Sequence, residues 1–146
     1  MNKRTLLVAA CLSLGLAAGS AIAQDTRAYK EGNVVNLSYI KVKPGKFNDY
    51  MAYLAGPYKK LMEENKKAGL IVSWAVYSAQ ARNPQDPDLY LTTTYANWAA
   101  LDRVEESLAL SARVAGSMTQ QDKAFADRGS MREVLGGNVV QELILK

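Results

Sequence analysis

The order in which strand-like and helix-like patterns follow one another is the strongest constraint on how this chain can fold. Two long segments, residues 46–68 and 98–128, place apolar residues at steps of three and four, which predicts amphipathic helices. Four shorter segments are rich in β-branched and aromatic residues, which is typical of strands. They cover residues 34–42, 70–78, 89–95 and 138–145. The predicted order along the chain is therefore βαββαβ.

Glycine, proline and asparagine residues indicate where these elements end. Gly56-Pro57 falls inside the first helical pattern and predicts a kink or break there, because proline lacks the backbone N–H that a helix needs. Asn97 precedes the second helical pattern and is predicted to cap it. Gly129 is predicted to end that helix, and Gly136-Gly137 to form a turn before the last strand.

The βαββαβ order predicts an α+β domain in which two helices cover one face of a four-stranded antiparallel sheet. The other face of such a sheet is polar when it contacts water. In the first strand, however, both alternating sets are apolar: Val35, Leu37 and Tyr39 on one face, Val34 and Ile40 on the other. We therefore expect a homodimer in which a second copy packs sheet to sheet against the uncovered face.

The first 23 residues have the features of a secretory signal peptide. Lys3 and Arg4 are followed by an uncharged apolar run from Leu6 to Ala18, and Ala21-Ile22-Ala23 resembles a cleavage site. The apolar run is shorter than the ~20 residues that span a bilayer, and no second run follows, so no membrane span is expected. A periplasmic or secreted location is predicted.

Cleavage after residue 23 divides the chain into a signal peptide (1–23), a polar, flexible leader (24–32) and one ferredoxin-like α+β domain (33–146). An alternative cleavage before Cys11 would leave a lipid anchor on that cysteine. This alternative is disfavoured because the apolar region before the site would be unusually short. Whether Cys11 is ever lipidated stays open at this stage.

Composition excludes several kinds of chemistry. The chain has no histidine, and its one cysteine lies in the signal peptide. A Ser-His-Asp triad, a cysteine nucleophile and metal or haem sites held by histidine or thiolate are therefore excluded, and no metal or cofactor is predicted. Removing Lys3 and Arg4 lowers the formal charge from +4 to +2 (4 minus 2). So small a charge gives no reason to expect a nucleic-acid partner.

Two short segments resemble those of a known superfamily. They are Val42-Lys43-Pro44-Gly45-Lys46-Phe47, after the first strand, and Tyr95-Ala96-Asn97-Trp98-Ala99-Ala100-Leu101, after the third. They resemble the dimeric α/β-barrel (ferredoxin-like) superfamily, specifically an exported branch related to the antibiotic-biosynthesis-type monooxygenases. The resemblance implies a pocket between helices and sheet, with an amide on strand one and an aromatic ring at the end of strand three. The histidine that binds haem in haem-degrading relatives has no counterpart here.

This resemblance and the aromatic content suggest a set of ligand-binding residues. Asn36 and Ser38 share a face of the first strand, and the resemblance places Tyr95 beside them. Trp74 and Tyr58 are further candidates for lining the pocket. Each also has an ordinary structural explanation, since strand Asn and Ser often bond nearby backbone and aromatic rings usually pack in cores or interfaces. No catalytic residue is assigned.

Three functions remain open from the sequence. The first is an exported homodimer that binds a small apolar or aromatic molecule. The alternative is a cofactor-independent monooxygenase-like enzyme acting on a hydroxyaromatic substrate, which is disfavoured because no candidate side chain is an evident base near neutral pH. A purely structural protein, the third, would have a filled core with no cavity.

Two charged pairs have competing interpretations. Asp86 and Asp88 lie in a proline-containing loop and could bind calcium, but two acids without a fuller ligand series more often organise a turn. Arg128 and Arg132 lie before the last strand. Either could hold a ligand carboxylate, although a salt bridge to a nearby acid such as Glu133 is the simpler expectation.

Overall fold

The computed structural model of the protein describes residues 26–146. The strands are β1 (Tyr29–Val42), β2 (Ser73–Ser78), β3 (Leu89–Tyr95) and β4 (Arg132–Leu145). The helical elements are α1 (Phe47–Tyr53), a π-helical segment (Leu54–Tyr58), α2 (Lys59–Lys67), a 3-10 segment (Trp98–Asp102), α3 (Val104–Ala115) and α4 (Met118–Met131). Among these described helices, none is long and apolar enough to cross a membrane. The predicted signal peptide and cleavage site lie outside the described residues.

The four strands form one antiparallel sheet in the order β2-β3-β1-β4. β1 and β3 are therefore central, while β2 and β4 form the edges. The α+β class and the ferredoxin-like topology predicted from the sequence are confirmed.

Strand register shows which residues share a face of the sheet. Asn36 of β1 lies opposite Thr93 of β3 and Val139 of β4, and directly opposed residues project from the same face. This face is covered by helices. The main core lies here and contains Ile40, Val42, Tyr50, Leu54 and Leu89.

The helix boundaries follow local backbone chemistry. A kink or break was predicted at Gly56-Pro57, and the structure has a π-helical segment there, which contains Pro57 and joins α1 to α2 without a loop. The helix therefore changes its hydrogen-bonding pattern at this point but does not break. The predicted cap at Asn97 is confirmed, since its side-chain oxygen accepts from the Ala100 amide at 3.0 Å. The second helical pattern is divided at Gly116, which adopts a φ of 87° that favours glycine.

Several predicted boundaries are wrong. β1 begins at Tyr29, which pairs with Leu145, so residues 29–32 of the predicted flexible leader belong to the sheet. At the other end, α4 continues past Gly129 to Met131 and leads directly into β4.

Gly136-Gly137 does not form the predicted turn. The pairing of β1 with β4 shifts between Tyr39, which is opposite Gly136, and Ile40, which is opposite Val134. One extra residue is therefore accommodated in β4 as a β-bulge, where glycine permits the unusual backbone. An ideal Cβ on Gly137 would lie 2.4 Å from the Leu37 carbonyl oxygen, so the two strands approach too closely there for a larger residue.

Candidate functional site

A cavity of about 280 Å³ lies between the helix-covered face of the sheet and the first helical segment. We call it the sheet–helix cavity. Its polar sheet-side residues are Asn36, Ser38 and Thr93, its tyrosines are Tyr50, Tyr53 and Tyr58, and its charged residues are Arg128 and Arg132. Apolar side chains such as Leu61 and Met62 complete the wall.

Alternation along β1 explains why an amide and a hydroxyl face the cavity. Asn36 and Ser38 lie between Val34 and Ile40, which are buried on the same helix-covered face. The space above the two shorter side chains is left open. Thr93, opposite Asn36, adds a second hydroxyl to this polar strip.

The tyrosines of α1 form an aromatic wall. Tyr50 and Tyr53 are three residues apart and share a helix face. Their rings stack with centres 6.0 Å apart and an angle of 13° between planes. Tyr58, from the π-helical segment, packs edge-on against Trp74 at 5.7 Å.

Tyr50 and Tyr58 stay neutral at neutral pH. Burial raises the pKa of Tyr58 to about 12, assisted by the neighbouring Tyr50 and Tyr53 and opposed by a hydrogen bond with Thr93. Burial also raises the pKa of Tyr50, although the nearby Arg132 and Arg128 oppose that rise. A neutral phenol donates a hydrogen bond and is a poor base, so these hydroxyls are suited to orienting a ligand.

Two arginines close the cavity from the junction of α4 and β4. Nη1 of Arg128 donates to the Tyr53 hydroxyl at 3.0 Å, and its guanidinium carbon lies 5.7 Å from the centre of that ring. The guanidinium carbon of Arg132 lies 5.8 Å from the Tyr50 ring centre. Within residues 26–146 neither arginine forms a salt bridge, so the expected pairing with an acid such as Glu133 is wrong.

The structure brings together three of the five predicted site residues: Asn36, Ser38 and Tyr58. Trp74 lies behind Tyr58 and does not line the cavity; its indole N–H donates to a carboxylate oxygen of Glu63 at 3.0 Å. Its contribution is to support the Tyr58 ring.

Tyr95 does not line the sheet–helix cavity, although it packs against the same core cluster as Trp74 and contributes to the raised pKa of Tyr58. It lines a second cavity of about 230 Å³, near Asn65, Leu70 and Arg103. The strand register explains this position. Tyr95 pairs with Val34, which lies two residues from Asn36 along β1. At that point the sheet faces α3 and the 3-10 segment, which form the wall of the second cavity. The expected grouping of Tyr95 with Asn36 and Ser38 does not occur.

Sequence reasoning did not identify Tyr50, Tyr53 and Thr93 as residues of the cavity. Tyr50 and Tyr53 belong to the aromatic residues of the first helical pattern, which were expected to pack in a core or interface. Thr93 had a usable signal, because it lies two residues before Tyr95 on the predicted third strand and so shares its face.

The acidic loop between β2 and β3 is a structural turn. Asp86 accepts from the backbone amides of Arg82 and Asn83 at 2.8 and 3.2 Å. Asp88 accepts from Lys41 Nζ at 2.9 Å and from the Val42 amide at 2.8 Å, which ties the loop to the end of β1. In the described part of the chain, no group of three or more His, Cys, Asp or Glu residues could hold a metal.

Comparison with known proteins supports the fold only. No protein-family profile matches the chain, and no curated protein sequence matches it. Protein SO0527 from Shewanella oneidensis is similar in structure, with a TM-score of 0.51 and 15% identity, over 80% of this chain and 98% of that one. HapK from Hahella chejuensis gives a TM-score of 0.49 and 12% identity, over 75% of this chain and 91% of that one. At 15% identity, the similarity to SO0527 shows a shared fold and says nothing of ligand or reaction.

Proposed function

We propose that this protein is an exported homodimer that binds a small apolar or aromatic molecule in the sheet–helix cavity. The observation that carries the proposal is the cavity itself, which combines stacked tyrosine rings with a short strip of hydrogen-bonding groups. Ligand sites generally have this composition: mostly apolar or aromatic walls and a few convergent polar groups.

The size of the cavity limits the ligand. At about 280 Å³ it lies at the small end of ligand pockets, which start near ~300 Å³. One or two fused rings fit this space better than a larger skeleton. Asn36 and Ser38 would bond a polar substituent, while Tyr50 and Tyr53 would contact the ring.

Binding of 2-naphthol, measured by calorimetry, tests the proposal. Asn36→Ala should weaken binding by ~2- to 10-fold, the equivalent of one hydrogen bond worth ~0.5 to 1.5 kcal/mol. Asn48→Ala is the matched control, because Asn48 is exposed on α1 and does not line the cavity. Tyr95→Phe serves as a second control, since its hydroxyl belongs to the other cavity.

Two results would contradict a ligand-binding role for this cavity. The first is the absence of saturable binding by naphthol and by related one- and two-ring compounds. The second is equal weakening by Asn36→Ala and Asn48→Ala, which would place the bound compound elsewhere on the molecule.

A cofactor-independent monooxygenase-like activity on a hydroxyaromatic substrate is the alternative. The arginines favour it in one respect, because two guanidinium groups beside the cavity would stabilise a substrate that has lost its phenolic proton. The neutral tyrosines weigh against it, since they supply no base near neutral pH. Oxygen consumption with a bound naphthol, compared with protein-free solution, distinguishes an enzyme from a binding protein.

The homodimer is proposed from the sheet face that the helices leave uncovered, which we call the outer face. Val35, Leu37 and Tyr39 of β1 lie on it, and the Tyr39 ring packs edge-on against Tyr90 of β3 at 5.4 Å. Val140 of β4, opposite Val35, continues the apolar surface. Thr92, Thr94 and Asn138 also lie on this face, between the apolar side chains. Apolar side chains grouped along β1 are nevertheless typical of an interaction site, and a second copy has the same surface to pair with.

The periplasmic or secreted location rests on residues 1–23 alone. Expression in an export-competent bacterium should give a protein whose intact mass corresponds to a chain that begins at Gln24. A lipid-modified Cys11 would instead show an anchored protein.

A further inference from the structure

The sheet–helix cavity contains positive charge that the protein does not neutralise. Arg128 and Arg132 line it, and no aspartate or glutamate does. Arg128 donates one hydrogen bond, to the Tyr53 hydroxyl. In the part of the chain that the structure describes, the Arg132 guanidinium has neither a hydrogen-bond acceptor nor an acid partner.

The Nε atoms of both arginines are buried and lack a hydrogen-bond partner. A buried donor without an acceptor is unfavourable, and the effect is greater when the group is charged. Buried guanidinium nitrogens are therefore normally matched by an acceptor. Because these Nε atoms are closed to solvent, a molecule in the cavity would meet the terminal guanidinium nitrogens, of which only Nη1 of Arg128 has a hydrogen-bond partner within the described residues. An anion bound there would supply the missing acceptor.

Some other cations of residues 26–146 are paired with acids. Arg103 contacts both carboxylate oxygens of Glu106, at 2.8 and 2.6 Å. Lys41 pairs with Asp88 at 2.9 Å. Cations of this range without an acid partner, such as Lys59 and Lys123, are exposed to water, whereas Arg128 and Arg132 are half-buried beside the cavity, where an external anion would compensate their charge.

The geometry favours a flat anion over a compact one. The Arg128 and Arg132 guanidinium groups lie near the Tyr53 and Tyr50 rings, at 5.7 and 5.8 Å from the ring centres, and those rings are nearly parallel. A ligand whose charged group meets the guanidinium groups can therefore place its ring against the tyrosine wall. Guanidinium edges match the two oxygens of a carboxylate.

We propose that the ligand of the sheet–helix cavity is an aromatic carboxylate of one or two rings, with its carboxylate held by Arg128 and Arg132. This inference rests on the proposed binding function and specifies the class of ligand. Asn36 and Ser38, on the sheet side, would then contact a ring substituent such as a hydroxyl group.

A charged and an uncharged compound of the same shape test the proposal. Calorimetry with 2-naphthoate and 2-naphthamide should show the carboxylate binding about tenfold tighter to the unmodified protein, the difference expected for a charge-assisted hydrogen bond. Because Arg128 remains, Arg132→Gln should reduce this preference, and Arg132→Lys should restore part of the loss by returning the charge without the guanidinium fork. Arg113→Gln is the control, because it changes net charge equally from an exposed position on α3 outside the cavity.

The outcomes separate this inference from the function on which it rests. If the unmodified protein binds naphthamide as tightly as naphthoate, the carboxylate assignment is wrong while the binding function stands. If it binds neither compound nor 2-naphthol, the binding function fails, and the inference with it. A preference that is undiminished in folded Arg132→Gln would also overturn the assignment, because the charge would then be recognised elsewhere.

Discussion

Substitution of Val140 by lysine provides a direct test of dimerisation through the outer face. Val140 is 46% exposed and lies opposite Val35 on that face. Its neighbour Val139 is 45% exposed and lies opposite Asn36, on the face that the helices cover. Val139→Lys is therefore a matched control in the same strand, with the same side chain and nearly equal exposure, and only the face differs.

The expected effect follows from the surface that dimerisation would bury. Full burial of a valine is worth ~1.5 kcal/mol or more, so covering the exposed half of Val140 contributes roughly 1 kcal/mol per subunit. A lysine at this position would also lose part of its hydration in the dimer. Because its long aliphatic stem lets the ammonium group extend towards water, we take about 1 kcal/mol for this desolvation cost. A twofold interface contains the residue twice, which gives ~4 kcal/mol and a dimer about 1,000-fold weaker.

Light scattering after size exclusion, over a dilution series, measures this change. The unmodified protein and Val139→Lys should have twice the monomer mass, whereas Val140→Lys should dissociate at micromolar concentrations. Circular dichroism should show that both variants remain folded, since neither valine belongs to the buried core. The reasoning is refuted if Val140→Lys stays dimeric, if Val139→Lys dissociates equally, or if the unmodified protein is a monomer.

Two further predictions concern stability. Gly137→Ala should lower the free energy of unfolding, measured in urea, by ~1 to 3 kcal/mol, because the added Cβ would lie 2.4 Å from the Leu37 carbonyl oxygen. Gly129→Ala should instead raise that free energy by ~0.5 to 1 kcal/mol, because Gly129 lies in helix α4 and an added Cβ would have no atom within 4 Å. A group whose pKa is higher in the folded state stabilises the fold below its unfolded pKa, so Tyr58 should cause stability to fall as pH rises from 10.0 towards about 12. Tyr58→Phe should make that fall shallower in urea titrations at successive pH values, and an unchanged profile would show that Tyr58 does not cause it.

The parts of the fold that local patterns determine were predictable. Alternation in β1 and β3, helical spacing after Lys46 and the cap at Asn97 depend on residues close together in the chain. The bulge at Gly136-Gly137 depends instead on where β1 pairs, a contact roughly a hundred residues away. Glycine pairs look alike in a turn and in a bulge, so the sequence alone could not distinguish them.

The candidate site was predictable to a similar degree. Asn36 and Ser38 followed from the resemblance to the α/β-barrel superfamily together with strand alternation, and the structure places them in one cavity with Tyr58. Tyr95 was misplaced because a residue can share a strand face with another and still face a different helix. The positions of Arg128 and Arg132 required α4 to continue past Gly129, which helix-termination rules did not indicate.

Alternation of side chains along β1 places the residues proposed for ligand binding and those proposed for dimerisation on opposite faces of the sheet. Asn36 and Ser38 face the sheet–helix cavity, whereas Val35 and Leu37 project from the outer face. Because Val140 lies on the outer side, a monomeric Val140→Lys variant leaves every cavity residue unchanged. If each subunit forms its site alone, that monomer should bind 2-naphthol with an affinity within about twofold of the dimer's. A monomer that has lost binding would mean that the second copy completes the site, since coupling between binding and assembly must act in both directions.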